Sequence, residues 1–311
     1  MTRREKILAY SAFAIVCTVW GTTYLAIRVA IETLPVFLFP ALRFTTAGII
    51  LLTVCLMRGH PLPTRRSDWV NLFLIGILMV GAGNIAVVWA EHHISSGMAA
   101  LLVATAPFWM AALETMRPAG ERVNLRIVVG MLIGFGGVAI LIAPEIQPDT
   151  FNRNFLLGVL ALQAGSICWN IGSIRSKYHP PQTTPLMSAA LQMLFGGVVV
   201  GLIGLARGEI SEVHFTTRTL IAFLYLLIFG SIVAYGAYVY ALSKLRTSTV
   251  SLHAYINPVV AVVLGWAILD ESFGLRGILA MLVIFGGVAL VQSARTKPLI
   301  VPEPAAAVEK V

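Results

Sequence analysis

The sequence predicts an all-α membrane protein with ten transmembrane helices arranged as two inverted five-helix repeats. The 311 residues are 58% hydrophobic and only 12% charged, whereas soluble domains carry about a quarter charged residues. Apolar runs of about twenty residues, long enough to cross a bilayer, follow one another with short connections. The two halves of the chain also repeat each other at an offset of about 150 residues.

The connections between the apolar runs are rich in proline, glycine and charge, as is typical of helix ends at a membrane interface. None is long enough to hold a soluble domain. The expected spans are 7–28, 34–57, 69–90, 96–115, 123–143, 155–175, 184–206, 218–241, 248–269 and 274–293. They give a first repeat at 1–148, a second repeat at 149–293 and a disordered cytoplasmic tail at 294–311.

Basic residues are unevenly distributed between the two sides of this predicted bundle. With a cytoplasmic N-terminus, sixteen of the 22 Lys and Arg residues fall on the cytoplasmic side, five on the other side and Arg43 within a span. Cytoplasmic loops of membrane proteins carry such an excess. Both termini are therefore expected in the cytoplasm, and the net charge of +8 indicates topology rather than a nucleic-acid partner.

The internal repeat is clearest where Glu121 to Ala139 recurs as Glu271 to Ala289, with Leu-Arg, Met-Leu and Phe-Gly-Gly-Val-Ala in the same order. Upstream, Trp20 matches Trp169, Pro107 matches Pro258, and Asn84 falls opposite Tyr235. Five spans per half is an odd number, so the second copy must enter the membrane upside down. Such inverted symmetry gives one chain two nearly equivalent states that face opposite sides, which favours a secondary transporter.

Several short motifs, spread over residues 10 to 293, resemble the EamA family of the drug/metabolite transporter (DMT) superfamily. They are Trp20-Gly21-Thr22-Thr23, Leu42-Arg43-Phe44, the helices with Pro107 and Pro258, Gly120-Glu121-Arg122 and Asp270-Glu271-Ser272. The resemblance implies ten helices around a central cavity. It also implies export of amino acids, metabolites or toxic compounds across a bacterial inner membrane.

Catalytic signatures are missing from the sequence. There is no Walker A sequence, His-Glu-x-x-His, Gly-x-Ser-x-Gly or pair of carboxylates at catalytic spacing within a span. Cys17, Cys55 and Cys168 lie in apolar runs without metal-ligand spacing. We therefore expect neither enzymatic activity nor a cofactor or metal; an intramembrane phosphatase or lipid-modifying enzyme would need a cluster of ionisable groups.

The fourth predicted helix of each repeat contains a proline near the bilayer midplane. Pro107 and Pro258 should free the backbone carbonyls of Val103 and Ala254, four residues earlier. Membrane helices tolerate proline as a simple packing kink. Because the two prolines are symmetrically placed, the sequence favours hinges or substrate-facing carbonyls, as in transporters with broken helices.

Polar and aromatic side chains inside the spans should face the protein interior because lipid penalises them. They either join helices by hydrogen bonds or line a substrate cavity. The predicted cavity residues are Trp20, Tyr24, Asn84, Trp169, Asn170, Tyr235, Tyr238 and Asn257. Glycines at Gly130-x3-Gly134 and Gly197-x3-Gly201 are expected to pack helices within the bundle rather than to form a dimer, which leaves a monomer as the expected state.

Ionisable groups within the spans are few. Arg43 needs a partner, either a carboxylate in a structural ion pair (Glu32, Glu91 or Glu114) or a bound anion. Glu91, at the outer end of its span, is expected to be solvated. With no nucleotide site, uphill transport requires an ion gradient. His253 is the first candidate for proton coupling, since histidine titrates near physiological pH, and Glu114 is the second.

The sequence thus predicts an exporter of amino acids or similar small metabolites that works by alternating access around an aromatic, mostly neutral cavity. Its expected partners are a small-molecule substrate and the lipid bilayer. Two alternatives remain. An ungated facilitator differs from a carrier only in its flux, and a receptor or scaffold is disfavoured by the inverted repeat and the midplane prolines.

Overall fold

The computed structural model describes residues 1–94, 96–117, 120, 122–143, 153–269 and 275–294. Within these residues the secondary structure is helical, and no strand is formed. The α-helices are α1 (Arg3–Ala30), α2 (Leu38–Met57), α3 (Arg66–Gly76), α4 (Asn84–Glu91), α5 (Ser96–Val103), α6 (Ala106–Thr115), α7 (Leu125–Ile142), α8 (Arg153–Tyr178), α9 (Pro185–Ala206), α10 (Thr217–Tyr225), α11 (Ala234–Lys244), α12 (Thr247–Ser251), α13 (His253–Leu269) and α14 (Leu275–Ser293). The motif positions 121 and 270–272 and the predicted tail from 295 lie outside the described residues.

Eight helical stretches of the described chain are long and apolar enough to cross a bilayer. They are Arg3–Ala30, Leu38–Met57, Arg66–Glu91, Met98–Thr115, Arg153–Tyr178, Pro185–Ala206, Thr217–Lys244 and Leu275–Ser293. A shorter apolar helix covers Leu125–Leu141, and α12 with α13 covers the remaining expected span. The prediction of an all-helical, multi-pass membrane protein is confirmed.

Two of the spanning stretches contain a π-helical segment. Ile77–Gly83 joins α3 to α4, and Leu226–Val233 joins α10 to α11. A π-helical turn holds one residue more than an α-helical turn and frequently accompanies functional sites. The two segments occupy corresponding positions in the two halves of the chain.

The helices pack in pairs that combine the two halves. α2 lies along α9, and α7 lies along α14. α1 packs against α10, α11 and α13, whereas α8 packs against α3, α4, α5 and α6. Bilayer lipid provides no hydrophobic drive between helices, so close backbone approach at small residues stabilises such pairs.

Glycines permit the closest of these approaches. A Cβ added at Gly130 of α7 would lie 2.9 Å from the carbonyl oxygen of Gly287 of α14. A Cβ added at Gly197 of α9 would lie 2.6 Å from the amide nitrogen of Thr45 of α2. The prediction that these glycines pack helices within the bundle is confirmed.

Candidate functional site

A cavity of about 100 Å³ lies between helices of the two halves, with room for several water molecules. The first half contributes α1, α2, the end of the π-helical segment before α4, α4 itself, and the break between α5 and α6. The second half contributes α8, the π-helical segment before α11, α11, the end of α12 and the start of α13. The lining residues are Trp20, Thr23, Tyr24, Ile27, Arg43, Gly83, Asn84, Val87, Val103, Ala106, Leu162, Gly165, Ser166, Trp169, Asn170, Gly230, Tyr238, Ser251, His253 and Asn257. Of the eight predicted cavity residues, all except Tyr235 belong to this lining.

Four aromatic rings form a cluster on the cavity, which we call the aromatic cluster: Trp20, Trp169, Tyr238 and His253. The ring centroid of Trp20 lies 5.4 Å from that of Trp169, 5.1 Å from that of Tyr238 and 5.0 Å from that of His253. Edge-to-face contacts at such distances contribute about 0.5–1.5 kcal/mol per pair beyond area burial. The two tryptophans that the sequence repeat pairs are therefore in direct contact.

The polar atoms of the aromatic cluster are largely satisfied by the protein itself. The indole nitrogen of Trp20 donates to the Gly230 carbonyl (3.1 Å), and that of Trp169 donates to the Tyr238 hydroxyl (3.1 Å). The same hydroxyl is 2.8 Å from the Ser173 hydroxyl. With both indole N–H groups engaged, the tryptophans offer ring faces rather than hydrogen bonds to the cavity, which suits apolar or cationic groups.

Arg43 is the cation of the cavity lining. Its Nη2 atom donates to Oδ1 of Asn84 at 3.3 Å, and its guanidinium carbon lies 4.2 Å from the ring centroid of Phe44. Among the described residues Arg43 has no carboxylate within salt-bridge distance. The structural ion pair proposed for Arg43 is therefore replaced by a neutral amide and an aromatic face.

The carboxylates considered as partners of Arg43 lie elsewhere. Glu32 pairs with Arg218 at 3.1 Å. Glu114 is buried and accepts hydrogen bonds from the hydroxyls of Tyr178 (3.0 Å) and Thr247 (2.7 Å). Glu114 is also outside the cavity lining, so its role as a reserve proton site has no direct contact with the cavity in this conformation.

Tyr235 lies behind the cavity wall rather than on it. Its hydroxyl donates to Oε1 of Gln192 at 2.9 Å, and its ring centroid is 6.1 Å from that of Trp169. The prediction that Tyr235 lines the cavity is therefore corrected. Tyr235 packs against Trp169 from outside the lining. Its sequence counterpart Asn84 does reach the cavity.

The helix that carries Pro107 is broken on the cavity. α5 ends at Val103, α6 begins at Ala106, and Pro107 occupies the first turn of α6, where its missing N–H is tolerated. Gln163 of α8 bridges the break: its Oε1 accepts from Thr105 (2.9 Å), and its Nε2 donates to the Leu102 carbonyl (3.3 Å).

The helix that carries Pro258 is broken in a different place. α12 ends at Ser251 and α13 begins at His253, whereas Pro258 lies inside α13. Ser251, His253 and Asn257 all line the cavity. With its amide nitrogen turned towards α1, Asn257 donates to the carbonyls of His253 (2.8 Å) and Cys17 (3.1 Å). Both breaks thus border the cavity, but only Pro107 is at a helix start; a hinge at either proline stays a prediction.

Comparison with known proteins decides the family. The model of the EamA-like transporter family matches residues 7–143 and 156–293, which is nearly the whole chain. The chain belongs to the EamA-like transporter family. It is 33% identical over 310 residues to the uncharacterized inner membrane transporter YedA of Escherichia coli (strain K12), covering 97% of each chain.

More distant relatives match most of this chain in sequence. Protein PecM of Dickeya dadantii is 25% identical over 88% of this chain and 89% of its own. The chloroplastic WAT1-related protein At3g02690 of Arabidopsis thaliana is 26% identical over 82% of this chain and 62% of its own. A protein crystal structure superposes with a TM-score of 0.75 at 20% identity, covering 94% of this chain and 98% of that one. Together with the spanning helices, the family makes this protein a multi-pass membrane transporter.

One buried acid of this EamA-like transporter differs from its expected environment. Glu91, the last residue of α4, is 0% exposed, and neither of its carboxyl oxygens has a hydrogen-bond partner among the described residues. The expectation that Glu91 is solvated is wrong: it packs under the end of α1, where Arg28 donates to its backbone carbonyl. A span end gives no sequence signal of such burial, because the covering helix is distant in the chain.

Proposed function

We propose that this protein exports amino acids or similar small metabolites by alternating access, with ten membrane helices in two inverted five-helix repeats. One observation carries the proposal: Trp20 and Trp169 occupy matching positions in the two repeats and contact each other on the cavity wall. Their ring centroids are 5.4 Å apart. A cavity built jointly by equivalent elements of two halves is the arrangement that alternating access requires.

The packing of helices supports the inverted arrangement. Exchanging the two halves turns the pairs α2–α9 and α7–α14 into themselves, and turns the contacts of α1 with α10, α11 and α13 into those of α8 with α3, α4, α5 and α6. The two π-helical segments exchange places as well. Where the two halves differ in conformation, exchanging those conformations gives a second state that faces the other side of the membrane.

The broken helices support movement at the cavity. Both breaks border it, and the Thr105 and Leu102 groups near the first break are bonded to the side chain of Gln163 rather than left open to lipid. Side-chain bridges of this kind re-satisfy the backbone of an interrupted membrane helix. The helix can therefore bend at the break without exposing unpaired polar groups.

Counterflow in proteoliposomes tests the proposal. Cells with and without the protein are first compared for intracellular retention of, and growth resistance to, a panel of amino acids and related metabolites. Liposomes loaded with the best unlabelled compound should then transiently accumulate the labelled compound above its external concentration. Equilibration without this overshoot would identify the ungated facilitator, and specific binding without flux would identify the receptor or scaffold.

A further inference from the structure

Arg43 is buried in the membrane-spanning region and belongs to the cavity wall. The residue is 3% exposed and lies within α2, five positions after the helix begins at Leu38. An arginine side chain stays charged in proteins. A charge at this depth is costly unless it is paired or hydrogen-bonded.

The hydrogen-bonding capacity of Arg43 is mostly unused. Nη2 donates to Asn84, whereas Nε and Nη1 are buried and have no partner among the described residues. Phe44 lies against the guanidinium at 4.2 Å, and Phe39 is 5.8 Å away. Stacking on these rings does not satisfy the N–H groups in the guanidinium plane, which remain buried donors without an acceptor among the described residues.

The environment of Arg43 does not neutralise it. Among the described residues its one hydrogen-bond partner is the neutral amide of Asn84. Glu32 and Glu114 are engaged with other residues, and no salt bridge joins Arg43 to Glu91. Removing the counter-charge from a buried ion leaves a penalty that a bound anion can relieve. The cavity beside Arg43 is the place from which such an anion can come.

The aromatic cluster lines the same cavity as this cation. Asn84 follows Gly83, where an added Cβ would lie 3.0 Å from Cε3 of Trp169. Arg43, Asn84 and Trp169 all line the same cavity. The cavity offers a charged, hydrogen-bonding end and an apolar aromatic end to the same small molecule.

We propose that Arg43 binds the carboxylate of the transported solute while the aromatic cluster contacts its apolar part. This inference rests on the proposed transport function and narrows the substrate class to small amphiphilic carboxylates, including amino acids. A carboxylate suits Arg43 because guanidinium–carboxylate hydrogen bonds are charge-assisted and roughly twice as strong as neutral ones.

Three probes that share a phenyl ring and a short alkyl chain but differ in the polar group separate this role from simple apolar binding. The purified protein, in detergent and a chloride-free buffer so that chloride cannot occupy the site, is titrated with 3-phenylpropionate, 3-phenylpropanol and phenethylamine while its thermal unfolding is followed. The carboxylate should raise the melting temperature and bind at least about tenfold more tightly than the alcohol, which corresponds to the loss of one charge-assisted contact. Equal stabilisation by carboxylate and alcohol, or none by either, overturns the proposal.

Arg43→Gln should lose the preference for 3-phenylpropionate, and the Asn84→Asp variant keeps the test valid even where Arg43→Gln does not fold. Asn84→Asp places a carboxylate beside Arg43, so it should raise the melting temperature without ligand and abolish the preference for 3-phenylpropionate. An Asn84→Asp variant that still prefers the carboxylate refutes the role of Arg43.

The result is independent of the transport assay. Carboxylate preference without counterflow would support the Arg43 site and refute the proposed transport function. Counterflow of amines or neutral solutes without carboxylate preference would support the transport function and refute the Arg43 site.

Discussion

Gly287 of α14 lies directly on Gly134 of α7: a Cβ added at Gly287 would come within 2.5 Å of the Gly134 amide nitrogen. The same contact exists in reverse, since a Cβ added at Gly137 would lie 2.8 Å from the amide nitrogen of Ile284. Residues 137 and 287, and residues 134 and 284, are related by the repeat offset of 150. The α7–α14 interface is therefore the same contact made twice.

Substitution of Gly137 or Gly287 by alanine should destabilise the protein. Alanine normally stabilises a helix by up to about 1 kcal/mol relative to glycine, but here the added methyl group meets backbone, and overpacking costs about 1–3 kcal/mol. The neighbours Gly136 and Gly286 have no atom within 4 Å of an added Cβ and serve as matched controls. Melting temperatures in detergent should fall for the first pair only; equal effects in both pairs would contradict the close contact.

Trp20→Ala and Trp169→Ala should each reduce transport far more than they reduce the amount of folded protein. Each substitution removes a ring face from the cavity and a partner from the aromatic cluster. Phe229→Ala, which removes a ring that is 46% exposed on the outside of the bundle, is the control. Flux per folded molecule measures the effect, and normal flux in both tryptophan variants would mean that these rings only pack.

The His253→Gln substitution tests whether transport is coupled to protons. Its ring contacts Trp20 and Tyr238 with centroid separations of 5.0 and 5.7 Å, so it is placed to sense whether the cavity is occupied. An imposed pH gradient should drive accumulation by the parent protein, while His253→Gln should keep downhill exchange and lose the response to the gradient. A parent protein that ignores the gradient would be a facilitator, and the coupling hypothesis would be wrong.

Glu91→Gln should leave the melting temperature unchanged or raise it. A buried carboxyl group without hydrogen-bond partners costs stability, and the amide has the same shape without the potential charge. Glu32→Gln removes an exposed ion pair with Arg218, which is worth at most about 1 kcal/mol, and serves as the comparison. A large loss of stability specific to Glu91→Gln would reveal that its carboxylate is paired in the membrane.

Reporters of membrane topology test the charge asymmetry. A fusion after position 297 should report the cytoplasm, and an insertion at 145–149 should report the opposite side, since positive residues favour the cytoplasmic side. Both positions lie outside the described residues. An external C-terminus would rule out ten spans with two inverted repeats.

Several cavity residues can be predicted from the sequence because polar side chains within a span are unfavourable against lipid and therefore face the protein interior. Trp20, Trp169 and Asn84 were identified from polarity and repeat position alone, and all three line the cavity. Tyr235 followed from the same reasoning and is displaced from the wall. A tyrosine can be satisfied by a single buried acceptor, here Gln192, so its presence in a span does not require a cavity.

Contacts between distant helices could not be predicted from the sequence. The depth of Arg43 in the membrane does not distinguish between the candidate carboxylates. Its hydrogen-bond partner in the structure is instead the neutral side chain of Asn84. Position at a span end made Glu91 look solvated, because the sequence does not show that α1 covers it. Likewise, the two prolines are equivalent in sequence, but only the helix of Pro107 breaks immediately before it.

The extra residue in the π-helical segment Ile77–Gly83 determines the direction in which the Asn84 side chain points. One extra residue rotates everything beyond it by about 100° around the helix axis. The side of α4 that carries Asn84 is therefore not a continuation of the corresponding stripe on α3. Deleting a single residue from the segment would turn Asn84 away from Arg43 while leaving both of these side chains unchanged. The contact therefore depends on the number of residues along this helix as well as on their identity.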